Sequence, residues 1–175
     1  RLPDGILPLQ LTGSGEAFNP ASFMNVKNAA EARNAILKAY SDVRSLTPVY
    51  KPLFGQLILL DKESSLLFHC TAGKDRTGIA AALLLSALGV EKDLIIADYE
   101  ATNIYWRSRG IMEKIMTEHG ASAEVFKPLL EADKEFISAF FSALEQNYGS
   151  VKSFLEQELS LTPEKLKILS SEFLE

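Results

Sequence analysis

The sequence is poor in the residues that carry metal and redox chemistry. Among 175 residues there are one cysteine, Cys70, and two histidines, His69 and His119. A lone cysteine excludes an internal disulfide framework. One Cys with two His is too small a set to ligate zinc, so neither a metal nor another cofactor is expected. No run of about 18 apolar residues occurs, so no transmembrane helix is expected. The 18 basic residues are outnumbered by 23 acidic ones, for a net charge of -5, which argues against general affinity for nucleic acid or an anionic membrane. Repeats, low-complexity tracts and internal linkers are missing too. What remains, 47% hydrophobic and 23% charged, is ordinary for a globular chain. The length suits a single domain over 1–175. Compartment stays open between cytoplasmic and secreted.

The lone cysteine lies in the stretch around which the chain is organised, His69-Cys70-Thr71-Ala72-Gly73-Lys74-Asp75-Arg76-Thr77-Gly78. Leu66-Leu67-Phe68 before it reads as a buried strand, and Ile79-Ala80-Ala81-Ala82-Leu83-Leu84-Leu85 after it as an apolar helix. A loop entering a helix N-terminus turns several backbone N–H groups into one concavity, and the helix dipole adds partial positive charge. Arg76 adds a planar fork for two phosphate oxygens. The same field favours a thiolate at Cys70. The chemistry to which this points is phosphoryl transfer to cysteine. A small core cysteine is the bland alternative, and His69, Gly73, Gly78 and the Arg76-Thr77 spacing weigh against it. A nucleotide-binding loop is excluded, because Phe68 stands where it needs Gly and Asp75 where it needs Ser or Thr.

HCTAGKDRTG resembles the H-C-x5-R-[ST] phosphate-binding loop of the cysteine-dependent phosphatases, the protein tyrosine phosphatase superfamily. The Gly-Lys-Asp-Arg-Thr-Gly interior is similar to the bacterial and fungal branch, which acts on phosphotyrosine and phosphoinositides. Asp98-Tyr99-Glu100-Ala101-Thr102-Asn103 and the tail from Tyr148-Gly149-Ser150-Val151 to Leu174-Glu175 resemble that branch as well. The expected fold is therefore α/β: a central, mostly parallel sheet flanked by helices, with the catalytic loop between a strand and a buried helix. Relatives carry upstream strands and an Asp-Leu-Arg segment that this sequence does not match. Arg1-Leu2-Pro3-Asp4-Gly5 also has neither initiator Met nor signal pattern. The chain is thus expected to be a piece or processed product lacking the N-terminal strands, or one of two polypeptides that complete the fold together.

Within this scheme Cys70 attacks phosphorus, and Arg76 holds the phosphoryl oxygens and the charge spread over them. Thr71, Ala72, Gly73, Lys74, Thr77 and Gly78 form the phosphate cradle. Thr77 either assists the thiolate as leaving group or simply caps the helix. His69 is read as orienting the loop rather than moving protons. The general acid is Asp75, a residue of the upstream part, or Asp42 or Asp61. The resemblance favours Asp75, against a purely structural ion pair. Lys74 is either a second rim cation, suited to phosphoinositides, or a solvated lysine. Arg107 and Arg109 extend that rim or lie on a solvated face. The resemblance implies that Asp98, Tyr99 and Asn103 buttress the loop and that helices between Arg107 and Leu130 cover the site. Hydrolysis of phosphotyrosine in proteins leads, ahead of phosphoinositide and then phosphoserine or phosphothreonine. A non-catalytic phosphate-binding module and a sulfurtransferase are the readings from other classes.

The rest of the pattern is helical. Helices are expected from Ala29 to about Ser45, across Tyr50 to Ile58 after the break at Pro48, and over Thr77–Leu88 ending at Gly89. Further ones are expected at Lys92–Trp106, Arg107–Met116, Ala123–Leu130, Asp133–Gln146 and Ser150–Leu159. A last helix starts at Thr162-Pro163. Ile6–Leu11 reads as the one strand-like run of the first 27 residues, followed by a loop over Thr12–Gly15.

Overall fold

Asn28 opens the first helix. Its side chain accepts from Glu31 N at 2.9 Å, which satisfies one of the four N–H groups that a helix start leaves without partners. Helix α1 then runs Ala29–Ser41 and buries Ala32, Ile36, Ala39 and Tyr40, one stripe at helical spacing. A short 3-10 helix over Val43–Ser45 leads into α2, Thr47–Leu59, whose Pro48 sits in the first turn where no N–H is needed. The computed structural model describes residues 6–11, 26–106, 109–118 and 122–174. The expected loop at Thr12–Gly15, Arg107 and the break at His119-Gly120 fall outside them.

Helix α3 spans Asp75–Ala87 and gives way to Gly89, whose φ of +80° is the left-handed turn that a side chain resists. It is followed by α4 (Lys92–Tyr105), α5 (Arg109–Glu118), α6 (Ala123–Leu130), α7 (Lys134–Tyr148), α8 (Val151–Gln157) and α9 (Pro163–Phe173). Asp133 caps α7, Ser150 caps α8 and Thr162 caps α9, each by accepting a first-turn N–H. Helix α3 packs on α4 and α8, α1 on α6 and α7, and α2 on α9. Tyr40, Phe54, Ile79, Leu83, Phe136, Phe140 and Leu144 meet in the core with no exposed surface. Burial of such side chains contributes about 1.5–3 kcal/mol each. Arg33 of α1 ties the start of α7 to it, bridging Asp133 at 2.7 Å and also Glu135.

The architecture corrects the expected α/β fold. Among the described residues every regular element is a helix; there is no strand and no sheet. Leu66 and Phe68 are half-buried while Leu67 between them is 88% exposed, the alternation of a strand. Yet the backbone from Ser64 to Cys70 joins no ladder, and a strand exists only through a hydrogen-bonded neighbour. The inner side chains instead line a cavity of about 520 Å³ with Leu57, Leu60, Leu84 and Phe173. Ile6–Leu11 likewise joins no ladder, and its Leu7 and Leu9 are exposed. Among the described residues no helix is long and apolar enough to cross a membrane.

Candidate active site

Residues 69–74 form an irregular loop that delivers the chain to the N-terminus of α3. Gly73 turns it at φ +68°, a left-handed conformation suited to glycine. No side chain caps the start of α3, so its first N–H groups are left for another acceptor. Cys70 Sγ takes part of that place. Burial of the sulfur pushes its thiol up, but the Thr77 hydroxyl and the N–H groups of Thr77, Gly73 and Lys74 favour the thiolate, and the net result is a lowered pKa. Thr77 Oγ1 is nevertheless buried without a partner at hydrogen-bond geometry. It therefore acts on the sulfur as a nearby dipole, short of a formed bond.

Three tyrosines hold the loop from the core side. Tyr40 of α1 donates to Asp75 Oδ1 at 2.9 Å, and its hydroxyl also shares a 2.7 Å hydrogen bond with that of Tyr99 of α4. Tyr50 of α2 donates to the backbone carbonyl of Arg76 at 2.9 Å. Burial pushes all three phenols well above their ordinary range; the Asp75 charge adds to this at Tyr40 and Tyr99, and the Cys70 charge at Tyr50. They remain neutral donors. The sequence reading assigned Tyr40 and Tyr50 no role at the site. The available signal was their hydroxyls, since a buried phenol needs a polar partner.

Cys70, Gly73, Lys74, Asp75, Arg76 and Thr77 all lie in the loop and the first turn of α3. Thr71 and His69 are exposed, and Ala72 is half-buried. His69 Nδ1 lies 3.2 Å from the carbonyl of Cys70, its immediate neighbour. Gly78 N donates to Lys74 O at 2.7 Å and closes the turn. Arg76 is half-buried, and among the described residues its guanidinium pairs with no carboxylate. Lys74 is neither at a rim nor solvated: it is 1% exposed, with Nζ on Leu129 O, Glu131 O and Asp75 Oδ1.

The remaining candidates scatter. Asp42 is exposed at the end of α1, and exposed Asp61 accepts from Glu63 N in the turn after α2. Asp98 is exposed, whereas Tyr99 is buried under the loop. Asn103 clamps Ala132, donating to its carbonyl and accepting from its N–H, both at 2.9 Å. Arg109 pairs with Glu113 at 3.1 Å and Glu131 at 3.6 Å. An unpaired guanidinium, a ring of N–H donors and a favoured thiolate make a site that can bind a tetrahedral oxyanion over a nucleophilic sulfur.

The family model described as the tyrosine phosphatase family matches residues 8–175, and the chain belongs to that family. Three curated relatives resemble parts of it. One, from Cupriavidus necator, carries a name that assigns it provisionally to the tyrosine-protein phosphatases. It is 40% identical over 106 residues, 59% of this chain and 38% of the relative. A tyrosine-protein phosphatase of Nostoc commune is 42% identical over 74 residues, 42% of this chain and 25% of the relative. The triple specificity protein phosphatase PtpB of Mycobacterium tuberculosis is 33% identical over 117 residues, 60% of this chain and 42% of the relative. In each case the match spans less than half of the relative's length.

Proposed function

We propose that this chain hydrolyses phosphate monoesters through a cysteinyl-phosphate, with phosphotyrosine in proteins as its substrate. The observation that carries the reading is the setting of Cys70 in the loop at the N-terminus of α3, where the Thr77, Gly73 and Lys74 N–H groups favour its thiolate and where Arg76 pairs with no carboxylate among the described residues. The thiolate attacks phosphorus in line, an S–P bond forms and the P–O bond to the phenol breaks. The departing phenolate takes a proton from Asp75. Water then gives a proton to the Asp75 carboxylate as it attacks the same phosphorus, the S–P bond breaks, and the thiolate and the Asp75 carboxyl are regenerated with release of inorganic phosphate. Arg76 and the loop N–H groups carry the charge on the equatorial oxygens throughout.

Two observations speak for phosphotyrosine ahead of phosphoinositide. The ammonium of Lys74 is occupied by backbone carbonyls and Asp75, so no second loop cation is free for a second phosphate. The mycobacterial relative is also named as a protein phosphatase.

The test is turnover of an aryl phosphate by this chain beside Cys70→Ser, with and without vanadate. Activity that vanishes in the variant and is blocked by vanadate supports the mechanism. A folded, inactive wild-type chain overturns self-sufficient catalysis and leaves a phosphate-binding module. Phosphotyrosine peptides compared with phosphoinositides then decide substrate class, and faster release from the lipid overturns that part of the reading.

A further inference from the structure

Lys74 is the buried charged side chain of the described residues. An ammonium has three protons, and here three acceptors meet them: Leu129 O at 2.8 Å, Glu131 O at 3.0 Å and Asp75 Oδ1 at 3.3 Å. Two of the three belong to the end of α6 and the link that follows it. That link is fixed in turn from α4, where Asn103 brackets both the N–H and the carbonyl of Ala132. At the other end of the same residue, the backbone N–H of Lys74 is one of the nearby dipoles that favour the Cys70 thiolate.

We infer that Lys74 is a positioning residue: it ties the catalytic loop to the link over 129–132, so that the seating of α5 and α6 sets how well Cys70 is held as a thiolate. The inference deepens the proposed function and rests on its reading of Cys70 as the nucleophile. Besides this tie, the Lys74 carbonyl accepts from Gly78 N at 2.7 Å, and Tyr40 and Tyr50 hold only the residues that follow, Asp75 and Arg76. Gly73 before it has no neighbour within 4 Å of where a Cβ would stand, and no side chain caps α3. A buried ammonium cannot follow a shift of its carbonyls by turning to water, because bare charge in the interior is too costly. The stem, and with it the Lys74 N–H, must move with the link.

Other charges near the two ends are accounted for. At the cysteine end, His69 Nδ1 lies 3.2 Å from the Cys70 carbonyl, and the charges of Cys70, Arg76 and Asp75 are all felt at Tyr50 of α2. Near the ammonium, the Glu131 carboxylate turns outward to Arg109 at 3.6 Å and Lys127 at 3.9 Å.

The test is the pH profile of Cys70 alkylation by iodoacetamide in the whole chain, for wild type, Lys74→Met and Asn103→Ala. Asn103→Ala leaves every charge in place and touches neither loop nor sulfur, yet it loosens the link. Both variants should slow alkylation about 3- to 10-fold at pH values below the wild-type midpoint, as expected for a thiolate titrating half to one pH unit higher. Thr162→Ala, which removes the cap of α9, controls for general loosening and should keep the wild-type profile. A wild-type profile in Asn103→Ala overturns the coupling, since Lys74 would then act through its charge alone; this holds even where Lys74→Met does not fold. A wild-type sulfur that titrates as an ordinary thiol would instead sink the nucleophile reading itself.

Discussion

The ring of Tyr99 lies against the bare Cα of Gly78, so that a Cβ there would stand 2.8 Å from Tyr99 Cδ2 and 3.0 Å from Cε2. The ring has nowhere to go: it is 3% exposed and its hydroxyl is tied to Tyr40, which holds Asp75. Gly78→Ala should therefore destabilise by about 1–3 kcal/mol, as overpacking does, and lower turnover of an aryl phosphate because the disturbance ends at Asp75. Gly55→Ala has the opposite expected sign. That glycine sits inside α2 with nothing within 4 Å of a Cβ, so alanine should stabilise by about 0.5–1 kcal/mol through helix propensity. Thermal melts of the two variants check both signs.

The buried tyrosines predict the alkaline limit of the fold. Tyr40, Tyr50 and Tyr99 have folded values raised above the ordinary 10.0. The stability they lend as neutral phenols is complete below pH 10 and is lost as pH rises toward the folded values. Each subtracts about 1.4 kcal/mol per pH unit over that window. Tyrosinate absorbance and helical circular dichroism, followed together, should show three of the five tyrosines ionising only as the helices melt. Three phenols ionising with the helices intact would contradict this account.

The loop and the family were legible because ten consecutive residues carry the resemblance, and the family model that matches residues 8–175 bears the family out. The props were not legible in that way. Tyr40 and Asp75 are 35 positions apart, and Tyr50 and Arg76 are 26 apart, so only packing brings them together. Most helices could be placed because apolar residues recur at helical spacing, with Gly89 marking one end and Thr162-Pro163 the last start. The sheet was misread for a physical reason. Leu66-Leu67-Phe68 has the alternation of a strand, but alternation reports one face on apolar surroundings and says nothing of a neighbour for the backbone. Lys74 was misjudged between two exposed roles, since lysines are rarely buried unless paired.

Asp75→Asn separates proton donation from anchoring. Asparagine retains an oxygen that can accept from Tyr40 and from Lys74 Nζ, so both contacts survive while the carboxyl proton and its charge are lost. A good leaving group such as p-nitrophenolate departs without help, whereas phenolate needs the proton. Turnover of phenyl phosphate should fall about 100-fold or more, with a much smaller loss for p-nitrophenyl phosphate. Equal losses on the two substrates would assign Asp75 to anchoring only.

Thr77→Ala should be unusual among deletions of a buried polar group. Removing one member of a hydrogen-bonded pair costs about 1–3 kcal/mol because its partner is stranded. Thr77 Oγ1 has no formed partner to strand, so the melting temperature should hold or rise slightly. The hydroxyl lies by the sulfur, where it favours the thiolate. Its gain is greatest when Cys70 leaves phosphorus and its negative charge returns. The variant should accordingly form the cysteinyl-phosphate readily but hydrolyse it slowly, roughly 10-fold below wild type, the rate equivalent of about 1.4 kcal/mol. Rapid mixing with p-nitrophenyl phosphate should then show a burst of about one phenolate per chain before a slow steady state, and Thr77→Ser should abolish the burst. A uniformly slow reaction without a burst would move the hydroxyl's action to the first step, where the sulfur is still attacking.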